Sequence, residues 1–172
     1  MLNGEGLRVV LFLSGCEHAC KGCHNPQTWD PDSGERFGMY EFFEIVDALA
    51  EDHVSGITFT GGDPLHEENL HVVKFLIEQI RNGFSNKTIW LYTGYTWDEL
   101  TSTSFLIDPD ENEIMKLRKD IIKMVDVLVD GKFDSALADI NYPWAGSRNQ
   151  KVINVQKSIT ERKIILYDSE RP

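Results

Sequence analysis

Leu7-Arg8-Val9-Val10-Leu11-Phe12-Leu13 runs straight into Ser14-Gly15-Cys16-Glu17-His18-Ala19-Cys20-Lys21-Gly22-Cys23. The first seven residues are almost continuously apolar and partly β-branched, the pattern of a buried strand in a parallel sheet. The segment after them holds all three cysteines of the chain within eight residues, spaced C-x3-C-x2-C. Thiolates are soft ligands suited to iron–sulfur clusters or zinc. Three is one fewer than a closed four-cysteine site holds, so the spacing points to a metal centre with one position open for chemistry.

Outward from this stretch, helical and extended patterns alternate. Residues 39–50 place Phe42, Phe43, Ile45, Val46 and Leu49 on a helical face. Residues 57–60 read as a short strand stopped by Gly61-Gly62-Asp63-Pro64, and residues 70–80 as a second amphipathic helix. A third strand covers 88–93, a brief helix 97–100, a loop 102–112, a helix 113–123, a fourth strand 125–129 and a fifth 151–155. Strands separated by helices make βα units with right-handed crossovers in a parallel sheet. The cysteine loop, Gly61-Gly62-Asp63-Pro64, Thr93-Gly94-Tyr95 and Asp130-Gly131-Lys132 all come directly after strand ends. Ligands bind at that edge of parallel α/β folds, so four such loops on one rim make a site.

Composition narrows the function classes. Against 28 Asp and Glu the 172-residue chain has 17 Lys and Arg, a formal net charge of −11 with no basic stripe, so nucleic acid is not an expected partner. No run of 18 or more apolar residues offers a membrane span, and Met1-Leu2-Asn3-Gly4-Glu5-Gly6 is not a charged and then apolar leader. Three clustered cysteines in such a chain suit reduced thiols in the cytoplasm, and metal binding over a disulfide framework. No repeat or linker divides the sequence, and a single domain over residues 1–172 is expected, with the tail 156–172 unassigned.

The cysteine spacing after a first strand, with Gly61-Gly62-Asp63-Pro64 after the second, resembles the radical S-adenosylmethionine enzymes. Further stretches narrow the resemblance: Asn3-Gly4-x-Gly6, Ser14-Gly15-Cys16, Cys20-x-Gly22-Cys23-x-Asn25, Thr28-Trp29, Trp90-x-x-Thr93-Gly94-Tyr95, Val129-Asp130-Gly131-Lys132-Phe133 and Gly146-Ser147-x-Asn149-Gln150. In that order, over about residues 3–155, they resemble one branch, the activating proteins of anaerobic (class III) ribonucleoside-triphosphate reductases. Relatives of that kind carry residues ahead of the Asn-Gly-x-Gly stretch. Either the first strand therefore lacks a neighbour or the chain begins further upstream.

The resemblance implies an α/β fold, an abridged open (β/α) barrel of about five parallel strands with flanking helices. A full eight-unit barrel takes about 200 residues or more. It implies a glycyl-radical-enzyme activase, an oxidoreductase, with a [4Fe-4S] cluster on Cys16, Cys20 and Cys23. The amino and carboxylate groups of S-adenosylmethionine would chelate the fourth iron. Reductive cleavage would then yield methionine and a 5′-deoxyadenosyl radical, which takes hydrogen from a glycine Cα of the reductase. In that scheme no side chain acts as acid, base or nucleophile, because the cofactor carries the hard step.

The implied cofactor contacts are Gly22, Cys23, His24, Gly61, Gly62 and Asp63. Gly22 lets the loop turn where a side chain would crowd the cluster, and His24 stands where family members usually carry Tyr or Phe. Gly61 and Gly62 let the backbone approach the methionine moiety. Asp63 has two readings, a contact to the ammonium group or a brace for its own turn. Arg148, Asn149 and Gln150 are given no role. The implied partners are the glycyl-radical subunit of the reductase and a low-potential electron donor such as a flavodoxin.

Three other readings compete: an activase of the pyruvate formate-lyase type, a Cys3His zinc module completed by His18 or His24, and a thioredoxin-like dithiol at Cys20 and Cys23. His53, His66 and His71 read as surface or hydrogen-bonded histidines, and Trp90, Tyr92 and Trp144 as packing.

Overall fold

The apolar run after Gly6 forms β1 (Arg8–Leu13) in a computed structural model that describes residues 3–102 and 109–168. Parallel to it, in chain order, lie β2 (Gly56–Gly61), β3 (Thr88–Tyr92) and β4 (Val127–Asp130). They are joined through α1 (Met39–Ala50), α2 (Leu70–Gly83) and the pair α3 (Trp97–Thr101) and α4 (Pro109–Met124). Because spatial order matches chain order, the sheet has no reversal point, and the site cannot sit in a switch-point crevice.

β5 (Lys151–Asn154) pairs with β4 antiparallel, Leu128 opposite Ile153, which corrects the expectation of a fifth parallel strand. A parallel return needs a crossover that carries the chain back along the sheet. Residues 131–150 hold only one 3-10 turn, Ser135–Leu137, so the chain re-enters from the rim it has just left. The sheet is not closed. Among the described residues β1 is one edge, and beyond β5 comes only a bridge from Ile153 to Leu166.

Alternation along the strands sorts side chains to two faces. Ile57, Phe59, Ile89, Leu91, Leu128 and Ile153 face the helices and are buried with Leu70, Val73, Leu76, Ile77 and Ile80 of α2 and Ile121 and Ile122 of α4. The other face is filled by neighbouring loops and chain ends. Arg8 donates from Nε to Thr58 Oγ1 at 2.8 Å and lies 5.5 Å from the Trp90 ring centre. Trp144 and Tyr167 meet Trp90 edge-on at 5.4 and 5.0 Å.

Smaller differences have local causes. α4 begins at Pro109, so residues 109–112 are helical where a loop was expected, with proline at a helix start where its missing N–H costs nothing. Residues 103–108 of that expected loop lie outside the described residues. Val155 opens a helix, α5 (Val155–Glu161), because Asn154 Oδ1 caps it by accepting from Lys157 N at 3.0 Å. Among the described residues no helix is long and apolar enough to cross a membrane.

Candidate metal centre

Loops from the C-terminal ends of β1 to β4 meet the segment before β5 around a cavity of about 130 Å³. Its lining includes Cys16, Cys20, Cys23, His24, Gly61, Gly62 and Asp63, so the structure gathers these candidates in one place. All three thiols are free and half-buried. A larger cleft, about 540 Å³, lies between β1 and α1 and contains no cysteine.

Backbone bonds shape the cysteine loop. Gly62 N donates to Leu13 O at 2.7 Å, Asp63 N to Gly15 O at 2.8 Å, and Asn69 Nδ2 to Ser14 O at 2.8 Å. Across the loop, Gly15 N reaches Thr28 O at 2.8 Å and Cys16 N reaches Trp29 O at 3.0 Å. A Cβ on Gly62 would stand 2.6 Å from Gly15 O, 2.9 Å from Thr28 O and 3.0 Å from Leu13 O. The passage of the cysteine loop over this position is thus enough by itself to require glycine at 62. At Gly22 the demand is conformational. Its φ is +78°, and a Cβ would meet Phe133 and Ser135 only at ordinary contact distances of 3.7 and 3.6 Å.

Asp63 is buried, and both its oxygens are engaged inside the protein. Oδ1 accepts from Leu65 N at 2.7 Å, while Oδ2 accepts from Thr93 Oγ1 at 2.9 Å and Gly94 N at 3.0 Å and faces His18 Nε2 at 2.6 Å. These contacts describe a brace across three loops. Gln150 does similar work at the far wall: Oε1 accepts from Gly146 N at 2.9 Å and Ser147 N at 3.1 Å, and Nε2 donates to Gly131 O at 2.9 Å. Asn149 Nδ2 donates to Lys132 O at 2.8 Å. Arg148 pairs with Asp139 at 2.7 Å on the surface and is not part of the lining, whereas Lys132 is. His24 tilts against Phe133 at 5.4 Å.

Three residues differ from their sequence reading. The sequence offers His18 only as a zinc ligand, yet its side chain ties the cysteine loop to Asp63. The sequence assigns Gln150 no role, yet it bonds three backbone groups at the far wall. His66 is buried, and among the described residues its Nδ1 has no hydrogen-bond partner, so it is neither a surface nor a fully bonded histidine there. Trp90 and Trp144 pack as expected.

Burial pushes the Cys16 thiol up to about 11, with nearby Asp63 adding to the shift and a backbone hydrogen bond from His18 opposing it. The thiol is protonated at neutral pH and must release its proton when it takes a metal. Among the described residues no three His, Cys, Asp or Glu side chains are gathered to hold a single metal ion. A mononuclear zinc, with Zn–S near about 2.3 Å, needs its sulfurs converged on one point. Three thiols that line one cavity are soft donors of the type an iron–sulfur cluster takes.

A family model described as a 4Fe-4S single cluster domain matches residues 2–153. Three similar chains share the name anaerobic ribonucleoside-triphosphate reductase-activating protein. The one from Pasteurella multocida is 38% identical, covering 87% of this chain and 89% of its own. The one from Enterobacteria phage T4 is 36% identical, covering 88% and 86%, and that from Escherichia coli K12 is 37% identical, covering 88% and 91%. The chain belongs to this family of activating proteins. No solved structure matches it. Membership brings a 4Fe-4S domain over most of the sequence, and neither the zinc module nor the dithiol finds support in it.

Proposed function

We propose that this activating protein carries a [4Fe-4S] cluster on Cys16, Cys20 and Cys23, binds S-adenosylmethionine beside it, and creates a glycyl radical on an anaerobic ribonucleoside-triphosphate reductase. The carrying observation is the ring of three free thiols around one rim cavity, in a chain whose relatives are named for activating that reductase. When bound, the cluster supplies an open iron for chelation and the electron that cleaves the sulfonium to a 5′-deoxyadenosyl radical.

The chain's own residues hold and position. Gly62 and Asp63 fix the end of β1 through their backbone N–H groups, so Cys16 leaves the strand in a set direction. Gly61, Gly131 and Gly146 border the cavity with no side chain of their own. His24 and Phe133 offer an aromatic wall for adenine. The unclosed sheet acts as an abridged (β/α) barrel in a single domain, and its open side admits the glycine-bearing loop of the reductase. A low-potential donor such as a flavodoxin supplies the electron in the cytoplasm.

The test is anaerobic reconstitution, reduction, and addition of S-adenosylmethionine with the reductase. The expected readouts are 5′-deoxyadenosine and the doublet resonance of a glycyl radical. A reductase lacking its C-terminal glycine segment should give no doublet. A doublet obtained only on pyruvate formate-lyase would keep the chemistry and replace the partner.

A further inference from the structure

His18 lies midway between Cys16 and Cys20, and its side chain is 9% exposed. Beyond the 2.6 Å approach of Nε2 to Asp63, its ring meets Tyr95 edge-on at 4.7 Å. The slot exists because Gly94 has no side chain: a Cβ there would stand 2.2 Å from His18 Cδ2. Tyr95 is held in turn. Its hydroxyl accepts from Arg118 Nη2 at 2.8 Å, and Arg118 Nε donates to Leu65 O at 2.9 Å. The imidazole is thus fixed on the loops after β2 and β3, and those loops are fixed on α4. Ala19, the next residue, has φ +47°, a conformation that an alanine rarely holds without support from its surroundings. The limb between the first two cysteines therefore keeps its shape through a long-range contact.

We propose that His18 and Asp63 form a positioning pair, a clasp that fastens the Cys16–Cys20 limb to the rim, so that Asp63 serves the thiol ligands and not the ammonium group of the methionine moiety. This rests on the reading of the three cysteines as cluster ligands. His18 Nε2 is committed to the carboxylate and is not a spare metal donor. A buried carboxylate is retained only where donors surround it, and the four around Asp63 come from three different loops. Losing either partner frees the limb that carries two of three ligands.

The test uses the full chain with His18→Ala, His18→Gln, Asp63→Asn and the His18→Ala/Asp63→Asn double variant, reconstituted anaerobically and challenged with excess chelator. Each of His18→Ala and Asp63→Asn should lose iron about tenfold faster than the native protein, the size of effect seen when a residue orienting a metal ligand is removed. The double variant should lose it no more than about twofold faster than either single, because both remove one contact. His18→Gln keeps a donor and should restore most of the retention. Effects that multiply in the double variant, or native retention in His18→Ala, overturn the pair. So does Asp63→Asn with native retention but a large loss in the S-adenosylmethionine-induced change of the reduced cluster's electron paramagnetic resonance signal. Metal-free protein separates the two ideas. Alkylation at Cys20, measured by mass spectrometry, should be several-fold faster in His18→Ala. If it is, and the native protein still takes up no cluster, the clasp stands and the cluster reading falls. Unchanged alkylation overturns the clasp.

Discussion

On the helix side of the sheet, Ile57, Phe59, Ile89, Leu91, Leu128 and Ile153 meet α2 and α4 in a layer that is mostly aliphatic. On the other side Arg8, Thr58, Trp90, Trp144 and Tyr167 form a polar and aromatic plug, drawn partly from beyond the strands. The first face is built by local repetition and holds the fold together through apolar burial. The second, with the loop rim above it, is built from single contacts between distant residues, and it borders the cavity through Tyr92. Stability and chemistry should therefore respond to different substitutions.

The sharpest break is expected at the rim. Cys16→Ala, Cys20→Ala and Cys23→Ala should each abolish formation of 5′-deoxyadenosine, since a lost thiolate leaves more than one iron unheld. Their melting temperatures before reconstitution should stay within a few degrees of native, because none of the three belongs to either apolar cluster. One variant with a full cluster and near-native cleavage would remove that cysteine from the ligand set. On the helix side Phe59→Ala should do the reverse, costing about 3–5 kcal/mol in denaturant unfolding. That is a large part of the roughly 5–15 kcal/mol that holds a typical domain together. Protein that remains folded should still load iron.

Gly62 belongs to both regimes, and Gly62→Val sharpens the comparison. Its new side chain would strike three carbonyl oxygens of the cysteine loop and its return, so a destabilisation of about 1–3 kcal/mol is expected. Iron loading should fall with it. From sequence alone the same variant is expected to load normally and only bind S-adenosylmethionine more weakly. A fully loaded Gly62→Val protein with weakened cofactor binding would restore that expectation and sever the link between this glycine and the cysteine loop.

Legibility in the sequence divides along the same line. β1 to β4 and α1 were legible because buried strands and amphipathic helices repeat at short range, and α1 matches its expected bounds, Met39–Ala50. The cysteine loop was legible because its three donors lie within eight residues. The direction of β5 was not, since it depends on how residues 131–150 fold at the rim. Nor was the part played by His18, whose partner lies 45 residues further on. Asp63 kept two readings for the same reason: Thr93 and Gly94, which donate to it, are 30 and 31 positions away. Stretches such as Gly146-Ser147-x-Asn149-Gln150 marked the right loops while leaving their internal bonding unread.

The smallest expected effect lies in the plug. Tyr167 donates its hydroxyl proton to Glu5 Oε2 at 2.5 Å. Burial, reinforced by this bond to a carboxylate, pushes the phenol up to about 12 from an ordinary value of 10.0. The neutral phenol is the form the fold favours, so the contribution is fully present below pH 10. It is lost as the pH rises from 10 towards 12. Tyr167→Phe removes the bond and should cost about 0.5–1.5 kcal/mol at neutral pH, towards the lower end because solvent reaches this ring. The variant should also show a shallower fall in stability across pH 10–12. Tyr92, pushed up by burial with Arg8 opposing, leaves part of the alkaline loss in both proteins. Urea unfolding of native and variant protein at several pH values from 7 to 12 reads the difference directly. It should shrink as the pH approaches 12. No difference at any pH in that range would mean that Tyr167 acts through packing against Trp90 and Trp144 alone, because phenylalanine keeps the ring.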